Sequence, residues 1–371
     1  MILSIATGTG LQKAIEEKIS GFQGHLQLIS YDLNVSLEQS PIHADQPILK
    51  NTGAFPEIKR FQKFGNKAGI IRVEDLFEGV VLKGVGADFD WRFFESGLVS
   101  GRLPDFSTEA ASQEILLSKA LQNILSAQLG DTIRMFFFRE APRPPLQRIF
   151  KIVGVYNTGL EEFDKVHVIG DFRHVQRLNN WEDHEIGGYE LFVDNVKSAP
   201  FVAEKMRDYL EYAVDAVPIQ ESHEQMFQWL KLFDVNILII IVIVLAVGAI
   251  NIIVALLILI LESTRTIGIL KALGGSNRLI AQVFLFRSLQ IILKGVLVGN
   301  AIGLGVAYLQ KSTGFIRLNP EIYYVEAVPI EVSLLGIVIL NIGTIIFSAF
   351  VLLIPARFIS GISPAKTLRF Q

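Results

Sequence analysis

Residues 262–285 read ESTRTIGILKALGGSNRLIAQVFL, a charged insert between two long apolar runs. The run before it, residues 235–261, is almost entirely valine, isoleucine and leucine, and a second run occupies residues 289–309. Each is long enough to cross a bilayer. The insert carries Arg265, Lys271 and Arg278 against one acid, Glu262, and basic residues concentrate in short cytoplasmic loops, so the insert is expected on the cytoplasmic side. Ile267, Leu270 and Leu273 recur at helical spacing until Gly274 and Gly275 end the pattern. This predicts a short amphipathic helix at the inner membrane surface that a cytosolic partner can grip. A tight turn between two hairpin helices is the plainer reading of the same composition.

Outside this insert the 371-residue chain divides in two. Half of it is apolar, yet all the long apolar runs lie in residues 233–371, while residues 12–232 have the mixed composition of a soluble domain. That first part holds about 24 basic and 32 acidic residues, the second about 10 and 5. So acidic a domain carries no nucleic-acid footprint. With no cysteine, disulfides and thiolate metal sites are excluded.

In chain order, the opening MILSIATGTG is apolar but too short to span a bilayer, and it lacks the basic start of a signal peptide. Residues 1–11 are expected to be the end of a first transmembrane helix whose beginning is missing. The other reading is a frayed terminus packed on the domain. Leu11, Ile15 and Ile19 continue it as an amphipathic helix over residues 9–19. Within the domain at 12–232, strands are expected at 25–30, 69–73, 79–85, 114–118, 132–138, 149–156, 166–169 and 189–193. Helices are expected at 56–64, 119–129, 172–178 and 200–210. This mixed order predicts α+β rather than a doubly wound sheet. At 135–155, two strand-like runs flank Pro142, Pro144 and Pro145, which cannot extend a ladder and so stiffen a protruding tip. Arg139, Arg143 and Arg148 gather positive charge there.

A helix from near Ser222 runs into the span at 233–261 and, if continuous, forms a lever to the insert at 262–280. The span at 281–310 has small residues every fourth position, Gly295, Gly299, Gly303 and Ala307, a face on which another helix can approach closely. Arg287 and Lys294 lie seven apart on the same helix, where a charge in hydrocarbon is costly and must find a polar seam or snorkel. A loop at 311–331, a span at 332–355 and a tail at 356–371 follow. The tail carries Arg357, Lys366 and Arg369 without an acid and is expected in the cytoplasm. The fold class is therefore a membrane protein, an α-helical transmembrane bundle of three complete spans plus the end of a truncated first one, with an inserted α+β periplasmic domain.

Catalytic patterns are absent. No G-x-x-x-x-G-K-[ST] loop exists to hold a nucleotide, His167 and His174 lack H-E-x-x-H spacing, and no G-x-S-x-G elbow occurs.

The insert's Glu262, Arg265, Ile267, Gly268, Ile269, Leu270, Lys271, Ala272, Leu273 and Gly274, with Asn277 and Arg278, resemble the E-x-x-R-x-I-G-I-L-[KR]-A-L-G-A-[ST]-x-x-x-I signature of the FtsX-like permease family. The tail IPARFISGISPAKTLRFQ resembles the family's closing motif. EILLSKALQNILSAQLGDTI at 114–133 and LKGVGADFDWRFFESGLVSGRLPD at 82–105 resemble the periplasmic domain of MacB-like and lipoprotein-releasing permeases.

The resemblance implies a non-catalytic permease in the inner membrane, part of an ABC complex that extracts lipoproteins. It implies no cofactor in this chain; ATP and Mg sit on a separate LolD-like cassette ATPase. Arg265, Ile267, Gly268, Leu270, Lys271, Leu273 and Gly274 would form the ATPase-coupling element. A second permease copy or a paralogue would complete the complex within the membrane lipid. The hairpin at 135–155 would be a hook for a periplasmic LolA-like lipoprotein carrier, formed by Arg139, Pro142, Arg143, Pro144, Pro145 and Arg148, its Pro144, Gln147 and Arg148 matching that wording. Where this sequence has Arg287 the family often has Glu or Gln, which puts a role for Arg287 in doubt. Alternatives are MacB-like efflux, FtsX-like mechanotransmission, or a membrane sensor or scaffold.

Overall fold

The computed structural model describes residues 1–32, 37–50, 53, 55–73, 76–139 and 143–356. The tail cations Arg357, Lys366 and Arg369 and the hairpin's Pro142 lie outside the described residues. The chain forms two compact units. One comprises Met1–Lys13, Gln228–Arg317 and Ala327–Gln371, the other Ala14–Phe227 and Leu318–Glu326.

Three helices, Glu224–Glu262, Asn277–Thr313 and Leu334–Ala356, are by length and composition able to cross a membrane. The first two, at 39 and 37 residues, extend for about 58 and 55 Å, well beyond a hydrocarbon core of about 30 Å. Their apolar surface is turned outward: Val235, Leu238, Val242, Val247, Ile250, Leu297 and Ile302 are all more than half exposed. Helices satisfy their own backbone hydrogen bonds, so such a surface suits lipid. Polar side chains of the Asn277–Thr313 helix reach the Leu334–Ala356 helix and the segment between the two. Asn300 Nδ2 donates to Asn341 Oδ1 at 3.0 Å. Gln310 Nε2 donates to the carbonyls of Ile316 and Val328, both at 3.1 Å, while its Oε1 accepts from Ile316 N.

The second unit is built on β1 (Leu26–Ser30), β2 (Ile42–His43), β3 (Ile58–Val73), β4 (Leu76–Val85), β5 (Leu98–Gly101), β6 (Glu114–Ser118), β7 (Thr132–Phe137), β8 (Leu146–Tyr156), β9 (His167–Asp171), β10 (Glu185–Ile186), β11 (Gly188–Val193) and β12 (Val214–Pro218). Ten of these form one sheet in the order β12-β1-β11-β3-β4-β9-β6-β8-β5, with β7 bridging β3 and β8. Among the described residues only β4–β9 and β6–β8 pair in parallel. One core gathers Ile71, Leu82, Leu117, Met135, Phe150 and Val168 with Leu121, Leu125, Val175 and Leu178 from the Lys119–Leu125 and Phe172–Leu178 helices. A second packs Leu26, Leu28 and Leu191 on Val202, Ala203 and Met206 of the Ala199–Arg207 helix.

One expected helix is a strand. Residues 58–64 begin β3, a 16-residue strand paired with β11 and β4. Ile58, Phe61 and Phe64 share a helix-like spacing of three, but the strand buries Gln62 and Phe64 while Phe61 is 39% exposed. A buried polar residue concealed the alternation. The helix expected at 9–19 extends over Ile2–Gln23, and β12 was not anticipated.

Candidate coupling and docking sites

The charged insert folds as the Thr264–Ala272 helix. Gly274 follows at φ +90°, a left-handed conformation suited to glycine. Ser276 caps the next helix, accepting from Leu279 N at 3.2 Å. Ile267 is fully buried with Leu256, Ile260, Ile280, Phe284 and Leu352. Gly268 is buried as well. The expected apolar ridge therefore splits: Ile267 anchors the helix inward, while Ile269, Leu270 and Leu273 are 45%, 39% and 81% exposed. Arg265 and Gly274 are also exposed, and Lys271 is half-buried. Ile269 belongs to the outward ridge although helical spacing alone did not single it out.

The small-residue face is half used. A Cβ on Gly303 would lie 3.5 Å from the Ile2 side chain, and Ala307 is buried with Ala6 and Ile330. Gly295 and Gly299 meet nothing within 4 Å among the described residues. Closer approaches, which sequence reasoning missed, occur at Gly8, against the Ile237 side chain, and at Gly10, against the backbone of Pro329. Their signal was the alternation of small residues in ATGTG.

β7 and β8 form the expected hairpin, with Phe137 opposite Leu146. Arg143, Pro144 and Pro145 are exposed. Arg139 turns back across the tip, its Nη2 donating to the Pro144 carbonyl at 2.9 Å and its Nε at 3.3 Å. That cation ties the end of β7 to the strand-side residue Pro144 across the hairpin. Arg148 is half-buried, and its Nη1 donates to the Gln147 carbonyl at 3.2 Å. The register also sets exposed Arg134 opposite Arg72, adding two guanidiniums beside the hairpin.

The buried titratable groups of this unit hold structure together. Asp164, 3% exposed, is pushed up by burial, while hydrogen bonds from Thr158 Oγ1 at 2.8 Å and Gly159 N at 3.1 Å act against the shift. Lys18 is pushed down by burial and donates to the Tyr324 carbonyl at 2.7 Å. Among the described residues no three His, Cys, Asp or Glu side chains converge as a metal site.

An insert helix with an apolar outward ridge, flanked by helices able to span a bilayer, has the form of a membrane permease. Residues 238–364 match the family model described as FtsX-like permease C-terminal. The chain is similar to the lipoprotein-releasing system transmembrane protein LolC of Neisseria meningitidis serogroup B, 24% identical over 391 aligned positions covering 100% of this chain and 91% of that protein. It is likewise similar to the lipoprotein-releasing system transmembrane protein LolE of Haemophilus influenzae, 23% identical, with 99% and 90% covered. Among solved structures, the periplasmic region of MacB from Actinobacillus actinomycetemcomitans aligns at TM-score 0.36 and 15% identity, covering 55% of this chain and 92% of that one. At that score the fold rests on the strand order above.

Proposed function

We propose that this chain is the membrane permease subunit of an ABC complex that extracts lipoproteins from the inner membrane and hands them to a periplasmic carrier. The observation that carries this reading is that its similarity to lipoprotein-releasing permeases runs along the whole chain, through the sheet domain as well as the membrane helices. The exposed ridge of Ile269, Leu270 and Leu273 gives a physical means of coupling, because an amphipathic helix can seat such a ridge in the cleft of an ATPase.

In this reading the energy comes from a separate LolD-like cassette ATPase that holds ATP and Mg, since this sequence has no phosphate-binding loop. The sheet domain lies in the periplasm, the insert in the cytoplasm, and a second permease copy or paralogue completes the membrane assembly. The hairpin's Arg143, Pro144 and Pro145 meet a LolA-like carrier, and the guanidiniums beside them suit an acidic rim on it. The test is purification of the full chain in mild detergent, with identification of the proteins that co-elute. A cassette ATPase is expected. A kinase, or no ATPase at all, would contradict the proposal.

A further inference from the structure

The three membrane helices form an open groove lined among others by Ile252, Ala255, Leu256, Ser288, Ile291 and Leu352. Its walls are almost wholly apolar, and its lining residues Ala255 and Ile291 are exposed. Two cations flank Ile291 on its helix. Ile291 follows Arg287 by four residues and precedes Lys294 by three, so all three share one helix face. Both cations are exposed, and neither takes part in an ion pair among the described residues. The sequence has no acid between Glu262 and Glu321.

We propose that this groove holds one anionic phospholipid, with an acyl chain against Leu256, Ile291 and Leu352 and its phosphate between Arg287 and Lys294. Helical side chains lean toward the helix N-terminus, so the Lys294 stem runs back toward Arg287 and bridges much of their axial separation of about 10 Å. The guanidinium can grip two phosphate oxygens at once, and the ammonium adds a mobile point charge. A neutral lipid or an acylated protein chain would fill the groove but leave two charges uncompensated within an apolar span, where charge is costly. Phosphate attached to an acyl chain satisfies both halves of the site. The inference requires only that these helices lie in a bilayer and is independent of lipoprotein release.

The test uses the full chain, purified in detergent, depleted of lipid and titrated with phosphatidylglycerol, with retained lipid read by native mass spectrometry. One phosphatidylglycerol is expected per chain, with phosphatidylcholine retained far less. An Arg287→Gln, Lys294→Gln double variant is expected to lose roughly tenfold or more in affinity. Ala255→Trp, which fills the groove and leaves both cations in place, is expected to lose the lipid too, and Lys294→Arg to keep it. Should the double variant fail to fold, as judged by its thermal midpoint, the Ala255→Trp and Lys294→Arg pair decides alone. Equal retention of the two lipids, or unchanged binding in Ala255→Trp, would overturn the proposal. So would displacement by inorganic phosphate, which would mark a free-anion site, or by an uncharged triacylated lipopeptide, which would mark a substrate groove.

Discussion

Lys83 on β4 and Glu190 on β11 meet across 2.6 Å, 3% and 0% exposed. The second carboxylate oxygen accepts from Gln62 Nε2 at 2.9 Å. Lys83 also donates to the carbonyl of Phe22, at the end of the Ile2–Gln23 helix, and its ammonium lies 4.6 Å from the Phe22 ring centre. A buried ion pair gains little net stability by itself, because both charges lose water. Here it fixes a helix end to the sheet.

Lys83→Met leaves Glu190 buried beside Gln62 without its counter-charge and is expected to destabilise the protein by about 3 to 5 kcal/mol. Adding Glu190→Gln should recover most of that loss. Thermal unfolding of both variants in detergent, treated as a double-mutant cycle, measures the coupling.

Acid should weaken the sheet domain. His167 is pushed down to about 4, first by burial and then by the charge of Lys83, while the contact of its Nδ1 with the Phe163 carbonyl at 3.2 Å acts against the shift. Burial also lowers His25, His174 and His223. An unfolded histidine titrates near 6.5, so between there and about 4 the unfolded chain binds more protons, and stability falls as pH falls. Asp164, raised by burial, works the other way: its contribution is present at low pH and lost as pH rises. His167→Gln should flatten the loss by an amount on the order of 3 kcal/mol. Denaturant titrations at several pH values, followed by tryptophan fluorescence, measure the slope.

Two neighbours on the insert helix should fail differently. Ile267→Ala empties a fully buried site and is expected to cost about 2 to 5 kcal/mol, lowering abundance. Leu270→Asp alters an exposed position, should change stability by about 0.5 kcal/mol or less, and should still abolish ATP-driven transport. Unchanged transport by Leu270→Asp at normal abundance would remove this helix as the coupling element.

At the hairpin, replacing Arg143, Pro144 and Pro145 with Gly-Ser-Gly should abolish carrier binding while β7 and β8 stay paired. Calorimetry against a LolA-like carrier is expected to give a micromolar or tighter dissociation constant for the unaltered protein, and no heat of binding for the variant. Equal binding by both would remove the hairpin from the mechanism.

The sequence announced the membrane helices because only lipid tolerates apolar runs as long as residues 235–261. It announced the insert because Gly274 readily takes the left-handed conformation, φ +90°, that closes the Thr264–Ala272 helix. Strand β6 and the Phe172–Leu178 helix have the expected bounds, the strand because its apolar run ends at Ser118, which caps the next helix, and the helix because Phe172, Val175 and Leu178 repeat at helical spacing. What stayed hidden involved polar residues doing the work of apolar ones: Gln62, Lys83 and Glu190 are buried, and the pattern around Gln62 imitates a helix. β12 escaped because it ends in Pro218 at the edge of the sheet. In the candidate sites, periodicity grouped Ile267 with Leu270 and Gly295 with Gly303. It could not say which member another helix covers.

The central claim is tested most directly in proteoliposomes that contain the full chain, its co-purified ATPase and an acylated lipoprotein. The measurement is the amount of lipoprotein transferred to a soluble carrier with and without ATP. Transfer that requires ATP and is lost in Leu270→Asp is the expected result. ATP hydrolysis at a normal rate with the lipoprotein remaining in the membrane would contradict the account.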